Sequence, residues 1–388
     1  SLKGNDLNLT GKQSGRLTLY GKMQGVSFVR KFKFHADTYQ IEEQLFIQNR
    51  GSNVLQGIAG FSMASESLVD KESRYNKTSI DYYDSKGLED ESDTDDLKVG
   101  IQANEEVSWG GIASNYFLLA ILPTSEKMKL KAKYQQEIYR VALENQVTVS
   151  AGTEQNVQCT YYLGPKRGKD LAKAPNNLTA AIHYGWFDFI AKPLIKVLNF
   201  FYDYVGNYGV AIIILTILIK IVFWPLSHKS YKSMEQMKKL QPMMQKLKEQ
   251  YKDDRQKMNQ ELMQLYKTYK VNPAGGCLPM LLQIPVFIAL YQALLNAIEL
   301  RHAPFITYVP FTDIYWLADL SAKDPFYVTP VLMGLTMFLQ QKMSPSTGDP
   351  TQAKIMMLMP VVLTFVFLSF PAGLVVYWLA NNVLSIAQ

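Results

Sequence analysis

The chain has 388 residues, enough for two or three domains, with 48% hydrophobic and 19% charged residues and a formal net charge of +6. Two cysteines exclude a disulfide scaffold, and four scattered histidines argue against a multi-ligand zinc site. The averages resemble those of a soluble protein, yet the long apolar runs all follow about residue 204, so a single soluble fold is excluded in favour of a soluble domain joined to a membrane domain.

Residues 1–168 read as strands. The runs 25–34 (GVSFVRKFKF) and 40–47 (QIEEQLFI) are β-branched or aromatic with partial alternation, and 49–51 (NRG) supplies turn chemistry. The runs 147–150 (VTVS) and 157–163 (VQCTYYL) repeat the theme, which predicts an antiparallel β-sandwich. The acidic run 89–96 (EDESDTDD) lacks the ligand spacing and glycine of a calcium loop, so a solvated surface loop is expected.

Residues 169–182, opening with KDLAKAPNN, have the composition of a linker. Over 183–204 a helix would align Asp188, Lys192, Lys196, Asn199 and Asp203 in one polar stripe. Trp186, Phe187, Ile190, Leu194, Val197, Leu198 and Phe201 would occupy the other side. That pattern predicts an amphipathic helix in the membrane interface, the alternative being a surface helix packed on the soluble domain.

The membrane domain is expected over 205–388, with spans at about 206–226, 277–298, 326–343, 354–370 and 371–388. Each of the last two gives roughly 26 Å of helix, short of a hydrocarbon core of about 30 Å. Residues 229–270 carry eleven Lys and Arg, whereas 299–325 carries only Arg301 and Lys323. The positive-inside rule then puts the first loop in the cytoplasm and the second outside. The strand domain falls outside and the carboxy terminus inside. An exported amino-terminal domain requires a signal or a further span before Ser1. Cys159 and Cys277 fall on opposite sides and cannot pair.

Within the basic loop, Met237, Leu240, Met244, Leu247 and Tyr251 recur at helical spacing, as do Met258, Leu262, Leu265 and Tyr269. This predicts a helical hairpin over 229–270 with an apolar seam, kinked at Pro242. Its basic surface suits acidic or RNA-bearing partners and also anionic lipid headgroups.

The five predicted spans contain no Asp or Glu, and Lys220 stands inside the run 212–223 (IIILTILIKIVF). A lysine there costs about 2.5–3.5 kcal/mol on insertion scales, so a functional role is the default reading. Snorkelling is the alternative. Lys229 lies nine residues on, on the order of 13 Å, and helical side chains tilt toward the amino terminus, here the external side. Thr216, Gln283, Gln292, Thr336, Gln340, Thr364, Asn381 and Asn382 supply uncharged polar groups. Singly, each suits a helix–helix hydrogen bond; around an unpaired lysine they point to a wet groove.

The stretches 205–227 (VGNYGVAIIILTILIKIVFWPLS), 237–287, 299–305 (ELRHAPF), 324–345 (DPFYVTPVLMGLTMFLQQKMSP) and 370–382 (FPAGLVVYWLANN) closely resemble the YidC family of membrane protein insertases. The strand-rich domain is similar to the large periplasmic domain of its Gram-negative members. The resemblance implies a bacterial inner-membrane protein with six spans, the first preceding Ser1, acting alone or beside the Sec translocon through a hydrophilic groove. It implies nascent membrane proteins as substrates, contacts with ribosome or signal-recognition machinery through 229–270, and no cofactor or metal. The family's usual arginine is replaced by Lys220, which keeps the charge but not the bidentate fork. The residues expected to line the groove are Lys220, Tyr377 and Trp378, which match family positions, with Thr216, Gln283, Gln340 and Asn381 chosen from the polar groups of the spans, while Pro225, Pro242, Pro273 and Gly275 shape kinks and turns.

Two other classes fit less well. A secondary transporter normally shows inverted repeats and intramembrane carboxylates, and neither is visible here. An enzyme would need a motif such as H-E-x-x-H or G-x-S-x-G; 164–170 (GPKRGKD) lacks the spacing of a phosphate loop.

Overall fold

A computed structural model describes residues 9–23, 25–69, 76–124, 126–251, 254–269, 271, 273–309, 311–343 and 350–388. The chain divides into two compact units, Ser1–His183 and Tyr184–Gln388.

The first unit contains β1 (Ser14–Met23), β2 (Val26–His35), β3 (Gln40–Asn49), β4 (Leu55–Ser65), β5 (Ser79–Tyr83), β6 (Leu88–Glu91), the short helix α1 (Thr94–Val99), β7 (Ile101–Val107), β8 (Trp109–Ala113), β9 (Phe117–Pro123), β10 (Met128–Gln135), β11 (Ile138–Val149) and β12 (Glu154–Pro165). An eight-stranded sheet has the order β1-β2-β3-β12-β9-β8-β5-β6, and a four-stranded sheet β4-β11-β10-β7. The two-residue period decides which sides face inward. In β10, Met128, Leu130 and Ala132 are buried while Lys129, Lys131 and Lys133 are exposed. One buried cluster joins Phe61, Leu130, Val141 and Leu143 of the smaller sheet to Ile80, Ile112, Ile121 and Cys159 of the larger. The sheets therefore face each other across a shared core.

A buried polar group interrupts that core. The Glu43 carboxylate accepts from Arg30 Nε at 2.5 Å and from the Tyr161 hydroxyl at 2.8 Å. Cys159 pairs with Glu43 in the β3–β12 register.

Two expectations are corrected. The acidic run 89–96 is not a loop, because it forms β6 and the start of α1. There Asp93 accepts a hydrogen bond from Asp95 N at 2.8 Å, and Asp95 and Asp96 occupy the first turn, where the helix dipole favours negative charge. Residues 169–182 are not a free linker. They contain α2 (Gly168–Leu171) and a 3-10 turn, Leu178–Ala181, whose Leu171, Leu178 and Ala181 are buried with Trp109, Leu118 and Tyr162. The polar residues gave the stretch a linker's composition, but its apolar minority covers the outer side of the larger sheet.

The second unit is mostly helical: α3 (Asp188–Val205), α4 (Tyr208–Gln250), α5 (Arg255–Thr268), α6 (Pro273–Asn296), the small ribbon β13 (Ile306–Tyr308) and β14 (Tyr315–Leu317), α7 (Val328–Met343), α8 (Pro350–Phe367) and α9 (Ala372–Ala387). Helix α4 continues through Pro225 and Pro242, so the first expected span and the first arm of the basic loop form one helix. Tyr266 of α5 reaches Met244 of α4, Oη to Sδ 3.8 Å, whereas Tyr269, expected in that seam, is exposed. Among the described residues only Tyr208–Met237 is long and apolar enough to cross a membrane on its own; Leu282–Asn296, Met356–Phe367 and Ala372–Ala387 are shorter apolar helices. The side chains of Pro273, Gly275 and Cys277 lie outside the described residues.

Helix α3 buries a narrow stripe, Ala191, Ile195 and Leu198, and packs on α4 and α6. Its opposite side exposes Phe189, Phe200 and Tyr204, with Trp186 just before it 95% exposed. The loop before α7 is anchored by Asp324, whose buried carboxylate accepts from Trp316 Nε1 (2.9 Å), Phe326 N (3.0 Å), Thr329 N (2.7 Å) and Thr329 Oγ1 (2.8 Å). The same loop holds the start of α9 through Ala372 N to Ala322 O (2.7 Å) and Gly373 N to Leu320 O (2.9 Å).

Burial, and then the nearby Glu43 charge, hold the Cys159 thiol well above the ordinary thiol range. Only the thiolate reacts quickly, so Cys159 is expected to resist maleimide at pH 8 in the native protein and to label fully in denaturant. Peptide mass spectrometry distinguishes it from Cys277, and rapid native labelling of Cys159 would contradict this packing.

Candidate functional site

Lys220 lies where the buried and exposed sides of α4 meet. Ala211, Ile212, Leu215, Thr216 and Ile219 are buried, whereas Ile217, Leu218, Ile221, Val222 and Trp224 are exposed. An apolar segment that satisfies every backbone group internally leaves only side chains to be matched, and Lys220 is the costly one.

Its partner is a hydroxyl on α9. Lys220 Nζ donates to Ser385 Oγ at 2.6 Å, and the Ser385 hydroxyl donates to the Asn381 carbonyl, one turn back, at 2.8 Å. Gln283 of α6 donates through Nε2 to Asn381 Oδ1 at 3.3 Å. A polar chain thus runs from α4 through α9 to α6. The hydroxyl uses both its capacities, accepting from the ammonium and donating to the carbonyl. Among the described residues no carboxylate lies within 4.0 Å of the Lys220 amine.

The aromatic residues form a neighbouring group. Tyr377 is buried and stacks on Phe287, with ring centroids 6.3 Å apart. Trp378 stands edge-on to Phe287 at 4.5 Å and to Phe367 at 4.9 Å, so α6, α8 and α9 meet there.

Lys220, Gln283 and Asn381 are therefore brought together, with Tyr377 and Trp378 about one turn back along α9. Thr216 takes another role: it is buried, and its hydroxyl donates to Ile212 O of its own helix at 2.7 Å. Thr336 and Thr364 likewise bond carbonyls of their own helices. Asn382 is buried and donates to Met333 O at 3.3 Å, tying α9 to α7, and Gln340 is half-buried on α7. The sequence reading missed Ser385. Its one signal is the spacing of four from Asn381, which puts both on one side of a helix.

Comparison with known proteins covers both units. A family model described as "60Kd inner membrane protein" matches residues 200–388, and one described as "YidC periplasmic domain" matches residues 1–197. The membrane protein insertase YidC of Nitratidesulfovibrio vulgaris is 59% identical over 389 residues, covering 100% of this chain and 73% of the relative. That of Maridesulfovibrio salexigens is 55% identical over 387 residues, covering 100% of this chain and 72% of the relative. A crystal structure of an active YidC insertase with its first transmembrane domain resolved aligns at 19% identity and a TM-score of 0.45, over 96% of this chain and 75% of that one.

Removing the Ser385 hydroxyl leaves the half-buried Lys220 amine without its acceptor, at a cost of about 1–3 kcal/mol. Ser385→Ala is expected to lower the unfolding midpoint of the detergent-solubilised protein, while Ser385→Thr, which keeps the hydroxyl, preserves it. Equal midpoints for the two variants would show that the contact contributes nothing.

Proposed function

This chain belongs to the YidC family of membrane protein insertases, and on that premise we propose that it receives nascent membrane proteins in a positively charged hydrophilic groove, open to cytoplasm and lipid. It then releases their helices into the bilayer, alone or with the Sec translocon. As a member of that family it is an inner-membrane insertase with a periplasmic β-rich domain, acting on nascent membrane proteins by binding and release and not as an enzyme.

In this reading the groove is lined by Lys220, Thr216, Gln283, Gln340, Tyr377, Trp378 and Asn381. The observation that carries it is the neutral partner of Lys220. A hydroxyl solvates the ammonium without cancelling its charge, so the field remains available to an acidic segment of an incoming chain. A carboxylate in place of Ser385 would have quenched that field.

The apolar part of the substrate would leave along α7 and α9. Val331, Leu335, Phe338 and Leu339 of α7 and Val383 of α9 are exposed, which suits lipid or another apolar helix. Helix α7 has 16 residues, roughly 24 Å, shorter than a hydrocarbon core of about 30 Å. A bilayer thinned to meet it would shorten the path of a polar tail.

The remaining topology follows the charges: five spans in this chain, residues 229–270 and the carboxy terminus in the cytoplasm, and α3 in the outer interface. The exposed aromatics of α3 and its Asp188–Lys192 pair at 2.6 Å support the last point. The basic surface of 229–270 suits ribosome, signal-recognition machinery or anionic lipid.

The test is charge at one position. In reconstituted vesicles, Lys220→Glu is expected to slow insertion of substrates with acidic external tails by about tenfold or more, while Lys220→Arg is tolerated. Neutral-tailed substrates should lose much less. Normal insertion of acidic-tailed substrates by Lys220→Glu would overturn the electrostatic role.

A further inference from the structure

The insertase reading makes no use of the β13–β14 ribbon. Residues 303–318 (APFITYVPFTDIYWLA) hold five aromatic residues and a single charged one, Asp313. Phe311 at the turn is fully exposed, and Tyr308, Ile314 and Tyr315 beside it are exposed as well. Apolar residues scattered singly over a surface are ordinary, but four gathered on one turn are not.

The ribbon holds that tip outward. Tyr308 and Tyr315 face each other in the register, with ring centroids 4.9 Å apart and hydroxyls 3.3 Å apart. Val309 N donates to Ile314 O at 2.8 Å, and Thr312 donates to Val309 O through its N (3.0 Å) and its hydroxyl (2.9 Å). These polar groups are met within the turn, so carrying them out of water leaves them satisfied. Phe311 has a φ of 66°, in the left-handed region that a bulky side chain seldom adopts. A strained residue kept at the most exposed point of a turn directs attention to what its ring meets there.

The base of the ribbon fixes where the tip stands. Phe305 N donates to Leu317 O at 2.8 Å, and Phe305 O accepts at 3.0 Å from Nδ2 of Asn207, the residue that caps α4. A Cβ on Gly209 would collide with the Phe305 ring, so that ring lies against the first turn of α4. Leu320 and Ala322 hold the start of α9, and Asp324 holds the start of α7. Tyr202 of α3 stacks on Tyr208 of α4, with centroids 3.8 Å apart. The ribbon therefore rises from the end of the bundle where α4, α7 and α9 begin. Helix α3 finishes at that same end, with Phe200 and Tyr204 exposed.

We propose that the tip of the β13–β14 ribbon seats Phe311 and Ile314 among the lipids of the leaflet at that end of the bundle, with Asp313 and the hydroxyls of Tyr308 and Tyr315 at headgroup level. In the topology proposed above this is the outer leaflet. Tyrosine suits such a boundary, because its ring is apolar and its hydroxyl wet. Asp313 limits the depth, since a carboxylate enters hydrocarbon only at high cost. The segment has no Lys or Arg, so a zwitterionic headgroup suffices. A protein partner, a second copy included, fits less well. The four side chains expose on the order of 500 Å², against about 800 Å² per partner in a stable interface. Strands of three residues also offer little edge for pairing. The inference rests on the membrane location of the family and is independent of the groove.

The test uses the full chain with Phe311→Cys and Cys277→Ser, labelled with an environment-sensitive dye and held one copy to a phosphatidylcholine nanodisc. The same dye at Lys133→Cys, on the exposed side of β10, reports access to water. Iodide is expected to quench the dye at 311 about fivefold less than at 133, and a nitroxide on the lipid headgroup to quench it more than one deep in the acyl chain. Adding Ile314→Asp puts a second carboxylate at the tip and should restore iodide access. Continued protection of Cys159 from maleimide verifies that each variant is folded. Equal iodide access at 311 and 133 overturns the proposal. So does protection from iodide without quenching by the headgroup nitroxide, which would mean that protein covers the tip. Protection that survives Ile314→Asp also overturns it, because the dye alone would then have sought the lipid. None of these readings depends on insertion, so their failure leaves the groove standing.

Discussion

An ammonium held by a hydroxyl between apolar helices is the constraint around which the helical unit is arranged. Placing Lys220 in such a segment costs about 2.5–3.5 kcal/mol, and α4 alone has nothing to offset it. Ser385 lies on the last helix, so α4 is relieved of that cost only when α9 is in place. The same turn of α9 carries Asn381, which engages Gln283 of α6. One unfavourable residue thereby fixes the mutual placement of three helices, and packing of the aromatic rings follows from it.

The contrast with the buried carboxylates is instructive. Glu43 is matched by a guanidinium and a phenol, and Asp324 by four donors from its own neighbourhood. Those two are fully satisfied and serve the fold. Lys220 has a single short contact to a neutral group, so its charge is solvated and not cancelled. Groups retained for structure are saturated, and a group retained for binding keeps some capacity free.

The strands and the apolar helices were readable because period and composition are local properties. β10 alternates lysine with apolar residues, and α4 opens with an unbroken aliphatic run. Lys220, Gln283 and Asn381 were readable because polar groups in apolar surroundings are conspicuous. Other features depended on contacts that no window contains. Ser385 is an unremarked small residue until α4 reaches it, and Thr216 stands in a helix that supplies its own acceptor. Leu171 and Leu178 sit among lysines and asparagines, and only the sheet above them explains their burial. On α3 the stripe that packs is Ala191, Ile195 and Leu198, and of these only Leu198 belongs to the apolar side drawn from the sequence, because which side of a helix meets its neighbours depends on those neighbours.

The loop around Asp324 sets a mechanical boundary. It caps the first turn of α7 through Thr329 and clasps the first residues of α9 through Ala322 and Leu320. Those two helix beginnings are stapled to one short piece of backbone, which acts as a fulcrum. Any parting of α7 from α9 must then widen toward their far ends, where Ser385 and Gln340 stand, much as scissor blades spread away from the rivet.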